Sequence, residues 1–234
     1  MCLAWTSAMA EDELPQGFGI QLGWAQPIIR LNSPDASFPK DSLVNTVRLN
    51  GFKVGVVYDA TFIAGFGSSM GINYTFGAAH TDWAKKANDL SHSERNIYQY
   101  HQLELFVDWQ YKFEVAKETY LILYTGPTIQ YGILFKNRYE VRDDWFEDVT
   151  TTDFNRFEKH EEAASDKDLN ALNVTWGVGA GFQYQRYYLR GGYDFGIINP
   201  YRNKQFVSSS DDRYTRGRFD QWNIRLGIYL WQKK

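Results

Sequence analysis

The chain of 234 residues carries 25 Lys and Arg against 28 Asp and Glu, a formal net charge of -3, which excludes the basic surface that nucleic acid requires. Its aromatic share is 17%, from 16 Phe, 16 Tyr and 8 Trp, high for a water-soluble domain and suited to rings that meet lipid and its interface. The only cysteine, Cys2, excludes a disulfide framework and a cysteine-based metal site.

Residues 1–10 are uncharged and end in Ala8-Met9-Ala10, the small-x-small pattern cut by signal peptidase, and Glu11-Asp12-Glu13 follow. A signal-peptide remnant over 1–10 and one domain over 11–234 are therefore expected, and the leader implies export. No apolar run approaches the roughly 20 residues that a membrane helix needs. A membrane-spanning chain of this kind must close its strands into a barrel, because only then is every backbone N–H and C=O satisfied without water.

Eight segments alternate with period two. The first, about 17–29, sets Phe18, Ile20, Leu22 and Trp24 against Gly17, Gly19, Gln21, Gly23 and Ala25. The second, 47–58, sets Phe52, Val54, Val56 and Tyr58 against Gly51, Lys53, Gly55 and Val57. The third, 68–80, sets Met70, Ile72, Tyr74 and Phe76 against Gly71, Asn73, Thr75 and Gly77. In the fourth, 97–113, Leu103, Leu105, Val107, Trp109 and Tyr111 oppose Gln102, Glu104, Phe106, Asp108 and Gln110. The fifth, 119–136, sets Leu121, Leu123, Ile129, Tyr131, Ile133 and Phe135 against a mixed face of Ile122, Gly126, Thr128, Gln130, Gly132 and Leu134. The sixth, 171–184, places Leu172, Val174, Trp176, Val178 and Phe182 opposite Asn173, Thr175, Gly177, Gly179, Gly181 and Gln183. The seventh, 187–198, places Leu189, Tyr193, Phe195 and Ile197 opposite Arg190, Gly192, Asp194 and Gly196. The eighth, 218–231, places Trp222, Ile224, Leu226, Ile228 and Leu230 opposite Gln221, Asn223, Arg225, Gly227 and Tyr229.

Of the 19 glycines, 15 fall on the polar face. A solvent-exposed surface would gain nothing from glycine, whereas a narrow lumen needs its small volume. The apolar face is then the lipid side. The connections alternate too: 17, 16, 34 and 19 residues for the odd ones, and 9, 5 and 2 for the even ones. This is the pattern of long outer loops and short periplasmic turns, with both termini in the periplasm. The expected fold class is all-β, an eight-stranded antiparallel transmembrane β-barrel with long extracellular loops and short periplasmic turns. Two aromatic girdles are expected, Tyr58, Tyr111, Phe113, Tyr120, Tyr184 and Tyr187 below, and Trp24, Phe76, Trp83, Phe135 and Trp222 above.

The Gly-rich alternating strands ending in Trp222-Asn223-Ile224-Arg225-Leu226-Gly227-Ile228-Tyr229-Leu230-Trp231 resemble the small outer-membrane barrels of the OmpX/OmpW kind, especially the PorT-like barrels of Bacteroidota. The resemblance covers nearly all of the mature chain and implies a Gram-negative cell envelope. The last strand resembles the signal read by barrel-assembly machinery, with the difference that Gln232-Lys233-Lys234 follow the final aromatic residue.

An eight-stranded barrel is just wide enough for its side chains to fill, so a general porin is not expected. The strand phases place six charges in the lumen, Lys53, Arg190 and Arg225 against Glu104, Asp108 and Asp194, and these sum to zero. They are expected to form a network in which Arg225 meets Asp194 or Glu104. His80, His92, His101 and His160 show no metal spacing and no serine sits in a nucleophile motif, so no catalytic residue, metal or cofactor is assigned.

The longest loop holds eleven acidic residues between 138 and 168, with interleaved rings and a stretch, 152–164, able to form a short helix. A candidate binding surface takes in Asp143, Asp144, Trp145, Phe146, Glu147 and Asp148 from this loop and Arg202, Arg213 and Arg216 from the last one. The plain alternative is a solvated loop whose rings pack on the barrel rim. Expected partners are outer-membrane lipid and lipopolysaccharide, with other envelope proteins through the loops and no nucleic acid. The chain itself is expected to be a monomer. Two functions fit. One is a non-enzymatic barrel that anchors or assists envelope machinery or binds partners through its loops. The other is a narrow specific channel or small-ligand uptake protein.

Overall fold

The computed structural model describes residues 16–32, 44–63, 65–86, 89–158, 169–200 and 217–233. The expected leader over 1–10 lies outside these residues, as do His160, Arg202, Arg213 and Arg216. The strands are β1 (Gln16–Asn32), β2 (Val44–Arg48), β3 (Asn50–Ile63), β4 (Phe66–His80), β5 (Ala84–Lys86), β6 (Asp89–Ala116), β7 (Thr119–Asp143), β8 (Val149–Asn155), β9 (Leu172–Tyr184), β10 (Tyr187–Gly196) and β11 (Gly217–Lys233). Strands β1, β3, β4, β6, β7, β9, β10 and β11 pair antiparallel, each with its neighbour, and the pairing of β6 with β7 and of β1 with β11 closes the ring of eight. Strand β2 continues the register of β3 against β1. Strands β5 and β8 flank the far ends of β6 and β7 and widen them into a sheet that projects past the ring. No helix in the described residues is long and apolar enough to cross a membrane.

Burial is inverted relative to a water-soluble domain. Leu22 and Leu226, register partners on the outer face, are 61% and 60% exposed, while Gln21 and Arg225, one residue away on each strand, are 3% and 5% exposed. Such an apolar exterior is stable only against lipid. Where a polar group does face outward it is satisfied: Trp176 donates its indole N–H to Thr125 Oγ1 at 2.8 Å, and Thr125 donates to the Gly177 carbonyl at 2.9 Å.

The strands run longer than the alternation suggests. The connection expected over 59–67 shrinks to 64–65, because residues 59–63 and 66–67 continue the ladder. Each short turn has one residue with positive φ, Gly65 at 84°, Glu118 at 56° and Gln185 at 51°, a requirement of tight antiparallel hairpins. At the other end β6 begins at Asp89 and β7 runs to Asp143, so much of the expected loop is strand. The helix expected within 152–164 does not form over its described part, since Thr152–Asn155 belong to β8.

Two expected girdle residues point inward. Tyr120 is buried at 8% and lies on the lumen parity of β7. Phe135 is fully buried because the register shifts opposite His101 and Gln102: Leu134 pairs with His101 but Gly132 with Gln102, so Ile133 is extra and the phase flips beyond it.

Candidate functional site

The alternation brings all six expected lumen charges inside the ring, each 8% exposed or less. Two more join them, Asp59 from β3 and Lys112 from β6, so that four cations face four carboxylates. The lumen holds two connected groups and a looser centre.

Near the short turns, Asp59 is the hub. Lys112 Nζ lies 3.1 Å from its Oδ2, Arg190 Nη2 3.1 Å from the same oxygen, and Gln110 Nε2 donates to Oδ1 at 3.0 Å. Tyr229 donates its hydroxyl to Asp59 as well. Arg190 also donates to Ser69 Oγ at 3.0 Å and to Gln110 Oε1 at 2.9 Å, and it sits 5.1 Å over the Tyr188 ring. Only a glycine leaves room for that ring, because a Cβ on Gly227 would stand 2.1 Å from it.

Higher up, Glu104 is the second hub. Lys53 Nζ is 2.6 Å from Oε2, and Thr75, Gln102 and Gln221 donate to Oε1 at 2.8, 2.6 and 3.0 Å. Tyr100 donates to Gln102 at 2.6 Å, and Asn223 donates to Asp194 Oδ2 at 3.0 Å. Between the hubs, Arg225 differs from expectation. It contacts neither Asp194 nor Glu104 as an ion pair; it donates Nη2 to the Tyr124 hydroxyl at 3.2 Å and stacks 5.4 Å over Phe106 and 5.5 Å over Tyr124. Asp108 lies buried in the field of Arg225, Arg190 and Lys53.

The loop end of this polar column is closed by apolar side chains. At the loop end Ile29, Leu49, Tyr100, Phe135, Phe157, Leu169 and Phe219 form one buried cluster. Phe157 comes from the long connection after β8 and lies over Gly132, where a Cβ would be 2.3 Å from its ring. Val57, Phe106, Tyr188 and Tyr229 form a second buried cluster within the column, between Arg225 and the Asp59 hub. The described lumen is thus lined by buried side chains that fill much of it.

The projecting sheet is the second region of chemical interest. Its outer face is a ladder of ion pairs: Lys85 with Asp144 at 2.5 Å, Arg95 with Glu140 at 2.6 Å, Arg138 and Lys136 with Asp153 at 2.9 and 2.6 Å. Trp83 lies between two guanidiniums, Arg95 at 4.5 Å and Arg142 at 4.8 Å. At the tip, β7 turns into β8 across 144–148. Asp143 Oδ1 accepts the backbone N–H groups of Trp145 and Phe146 at 2.8 and 3.2 Å, and Glu147 takes a φ of 55°. The result is an ordered turn that holds Trp145 and Phe146 at 81% and 84% exposure. Asp144 is tied down by Lys85, Ser93 and Arg142, and its carboxyl lies below the ordinary range because of hydrogen bonds first from Lys85 and then from Ser93. Glu147 and Asp148 are exposed beside the rings.

The histidines are dispersed. His101 shares a 2.5 Å hydrogen bond with the Tyr74 hydroxyl on the lipid face, His92 Nε2 lies 3.7 Å from Asp143, and His80 is exposed. No three His, Cys, Asp or Glu among the described residues are placed to hold a metal ion.

Residues 19–202 match the family model described as outer membrane protein beta-barrel domain. A search of curated proteins by sequence finds no match. Among solved structures the chain is similar to Ail, the attachment invasion locus protein of Yersinia pestis, in a complex with the heparin analogue sucrose octasulfate, at 10% identity over 92% of this chain and 99% of that one, with a TM-score of 0.39. It is also similar to Neisserial surface protein A, at 13% identity over 93% and 100% of the two chains, with a TM-score of 0.41.

Proposed function

The chain belongs to the outer membrane protein beta-barrel domain family, and from that premise we propose that it is a non-conducting, non-enzymatic barrel whose projecting sheet presents a binding tip outside the cell. The observation that carries this reading is the pair Trp145 and Phe146, held almost fully exposed by an ordered turn at the end of the longest hairpin. Two large rings in water have no stabilising role where they stand, and exposed aromatic side chains on a rigid support are the usual anchors of an interface. Asp143, Asp144, Glu147 and Asp148 surround them, which favours a partner with apolar pockets rimmed by cations. Arg202, Arg213 and Arg216 belong to the proposed surface through the sequence alone. Residues 1–10 serve as a leader remnant, the termini face the periplasm and the protein acts as a monomer in this reading. The finer likeness to PorT-like barrels of Bacteroidota rests on the Gly-rich alternation and the last strand.

The packed lumen speaks against the channel alternative. In planar bilayers the protein is expected to give no conductance steps; regular steps would favour uptake instead. In intact cells, p-benzoylphenylalanine at position 145 should form adducts of discrete mass that Phe146→Ala weakens, while the same probe at 117 should not form them. Equal adducts from both positions would overturn the tip as the binding element.

A further inference from the structure

The lipid-facing surface where β1 meets β11 and β2 changes character within a few rows of residues. Leu22 and Leu226 share one row, Trp24 and Ile224 the next, Gln26 and Trp222 the next, with Tyr193 stacked 4.6 Å from Trp222. Above them the register sets Arg48, Ile28 and Asp220 side by side, and then Arg30 beside Arg218. Two rows on one face are spaced about 7 Å along a strand, so the arginines stand roughly 7–14 Å beyond the tryptophan row.

Asp220 makes this cluster more than a solvated charge patch. Its side chain is fully buried on the outside of the barrel, covered by Arg30 and Arg218, which remain 39% and 43% exposed. It accepts the Gly196 backbone N–H at 3.0 Å, Arg218 Nε at 2.9 Å and, more distantly, Arg30 Nε at 3.5 Å, and Tyr193 hydrogen-bonds it as well. Both guanidiniums therefore approach the carboxylate through Nε, and no described residue takes up their Nη groups. Arg48, exposed, has no ion pair among the described residues. Among the described residues, three cations against one carboxylate leave a local charge of +2 at the level where the hydrocarbon gives way to headgroups.

We propose that Arg30, Arg48 and Arg218, with Arg30 and Arg218 held in place by Asp220, form a binding site for the phosphates of a lipid in the outer leaflet, its acyl chains lying along the Leu22, Trp24, Ile224 and Leu226 surface. A guanidinium fork whose Nη groups no described residue takes up matches a phosphate monoester in geometry and charge, and a phosphate at a half-dry interface is held far more strongly than in water. The apolar rows directly below supply the second half of the site, so the occupant is a phospholipid-like or lipid A-like molecule rather than free phosphate. This inference rests on the long connections facing outward, as in the proposed function.

The test uses the full chain refolded in detergent micelles, with folding checked by heat-modifiable migration on gels. Native mass spectrometry then measures retention of bisphosphorylated lipid A, of the same lipid with its phosphates removed, and of inorganic phosphate. Two variants separate binding from folding: Arg48→Gln, which leaves Asp220 paired, and Arg30→Gln/Arg218→Gln/Asp220→Asn, which removes two cations together with the acid they would orphan. The wild type is expected to retain the phosphorylated lipid about tenfold better than the dephosphorylated one, in keeping with one or two charge-assisted hydrogen bonds. The triple variant should lose that preference and Arg48→Gln should reduce it, while Lys117→Gln/Arg186→Gln at the short turns should keep it. Equal retention of the two lipids, an unchanged preference in the folded triple variant, or displacement of the lipid by inorganic phosphate would each overturn the site. Thiol labelling that places the long connections in the periplasm would instead sink the proposed function, which distinguishes the two failures.

Discussion

Glu104 and Asp59 are buried and each collects several donors, so removing one cation leaves a buried charge short of a partner. Lys53→Met should lower the unfolding midpoint in detergent by an amount on the order of 3–5 kcal/mol, and adding Glu104→Gln should recover part of that loss, since a neutral amide can still serve Gln102 and Gln221. Strictly additive losses would mean that the pair is not coupled. Arg225→Met should cost less than Arg190→Met, because Arg225 stacks on rings and bonds a hydroxyl where Arg190 closes an ion pair with Asp59. Outside the barrel, hydrogen bonds first from Arg138 and then from Lys136 hold the Asp153 carboxyl down, at about 2 instead of 3.8. A depressed folded-state value means that its contribution is fully present above 3.8 and disappears as pH falls through 2. Carbon NMR of the Asp153 carboxyl should show that low midpoint, and Arg138→Gln/Lys136→Gln should return it to the ordinary range. Parity assigns each charge to a face of its strand but carries neither its height nor its partner. Lys112 continues the even parity of Gln110 inside the expected fourth strand, and Asp59 continues the odd parity of Lys53 and Val57 one residue past the expected end of the second; the alternation around them singles out neither as a lumen charge. The partner of Arg225 lies across the ring at Tyr124, a contact 101 residues away that no local pattern encodes.

At the scale of strands the sequence was far more legible, because a closed ring with lipid outside forces strict alternation on every member. The exception was β7, where one extra residue near Ile133 reverses the phase and takes Phe135 into the lumen cap. A bulge has no side-chain signature when both faces of a segment are apolar, as they are at Ile133-Leu134-Phe135. The projecting part of β6 and β7 was also hidden, since its residues are charged on both faces and read as a solvated loop. Its strands are tied by outward cations that meet carboxylates on a neighbouring strand, Arg95 with Glu140 and Arg138 and Lys136 with Asp153, a pattern that appears only once the register is known. The orientation of these elements can be checked directly. In a Cys2→Ala background, a cysteine at Asp148 should react with an impermeant thiol reagent on intact cells and one at Lys117 should not. The reverse result would turn the barrel over.

For the whole molecule, a ring without edges has no strand from which unfolding can start, so the protein in cold detergent should migrate on gels at a different position before and after boiling. A single position regardless of heating would count against closure. Phe157→Ala, which opens the cap above Gly132, should weaken heat resistance without producing conductance, because the charged column beneath remains packed. The long hairpin of β6 and β7 adds a mechanical consequence. The tip that carries Trp145 is continuous with β7, and β7 is bonded along its length to β6 on one side and to β8 and β9 on the other. A pull on the tip along the strand direction loads these cross-strand bonds in shear, all at once, instead of opening them one after another. The same short contact that binds a partner would then hold against drag as firmly as the barrel wall itself is seated in the membrane.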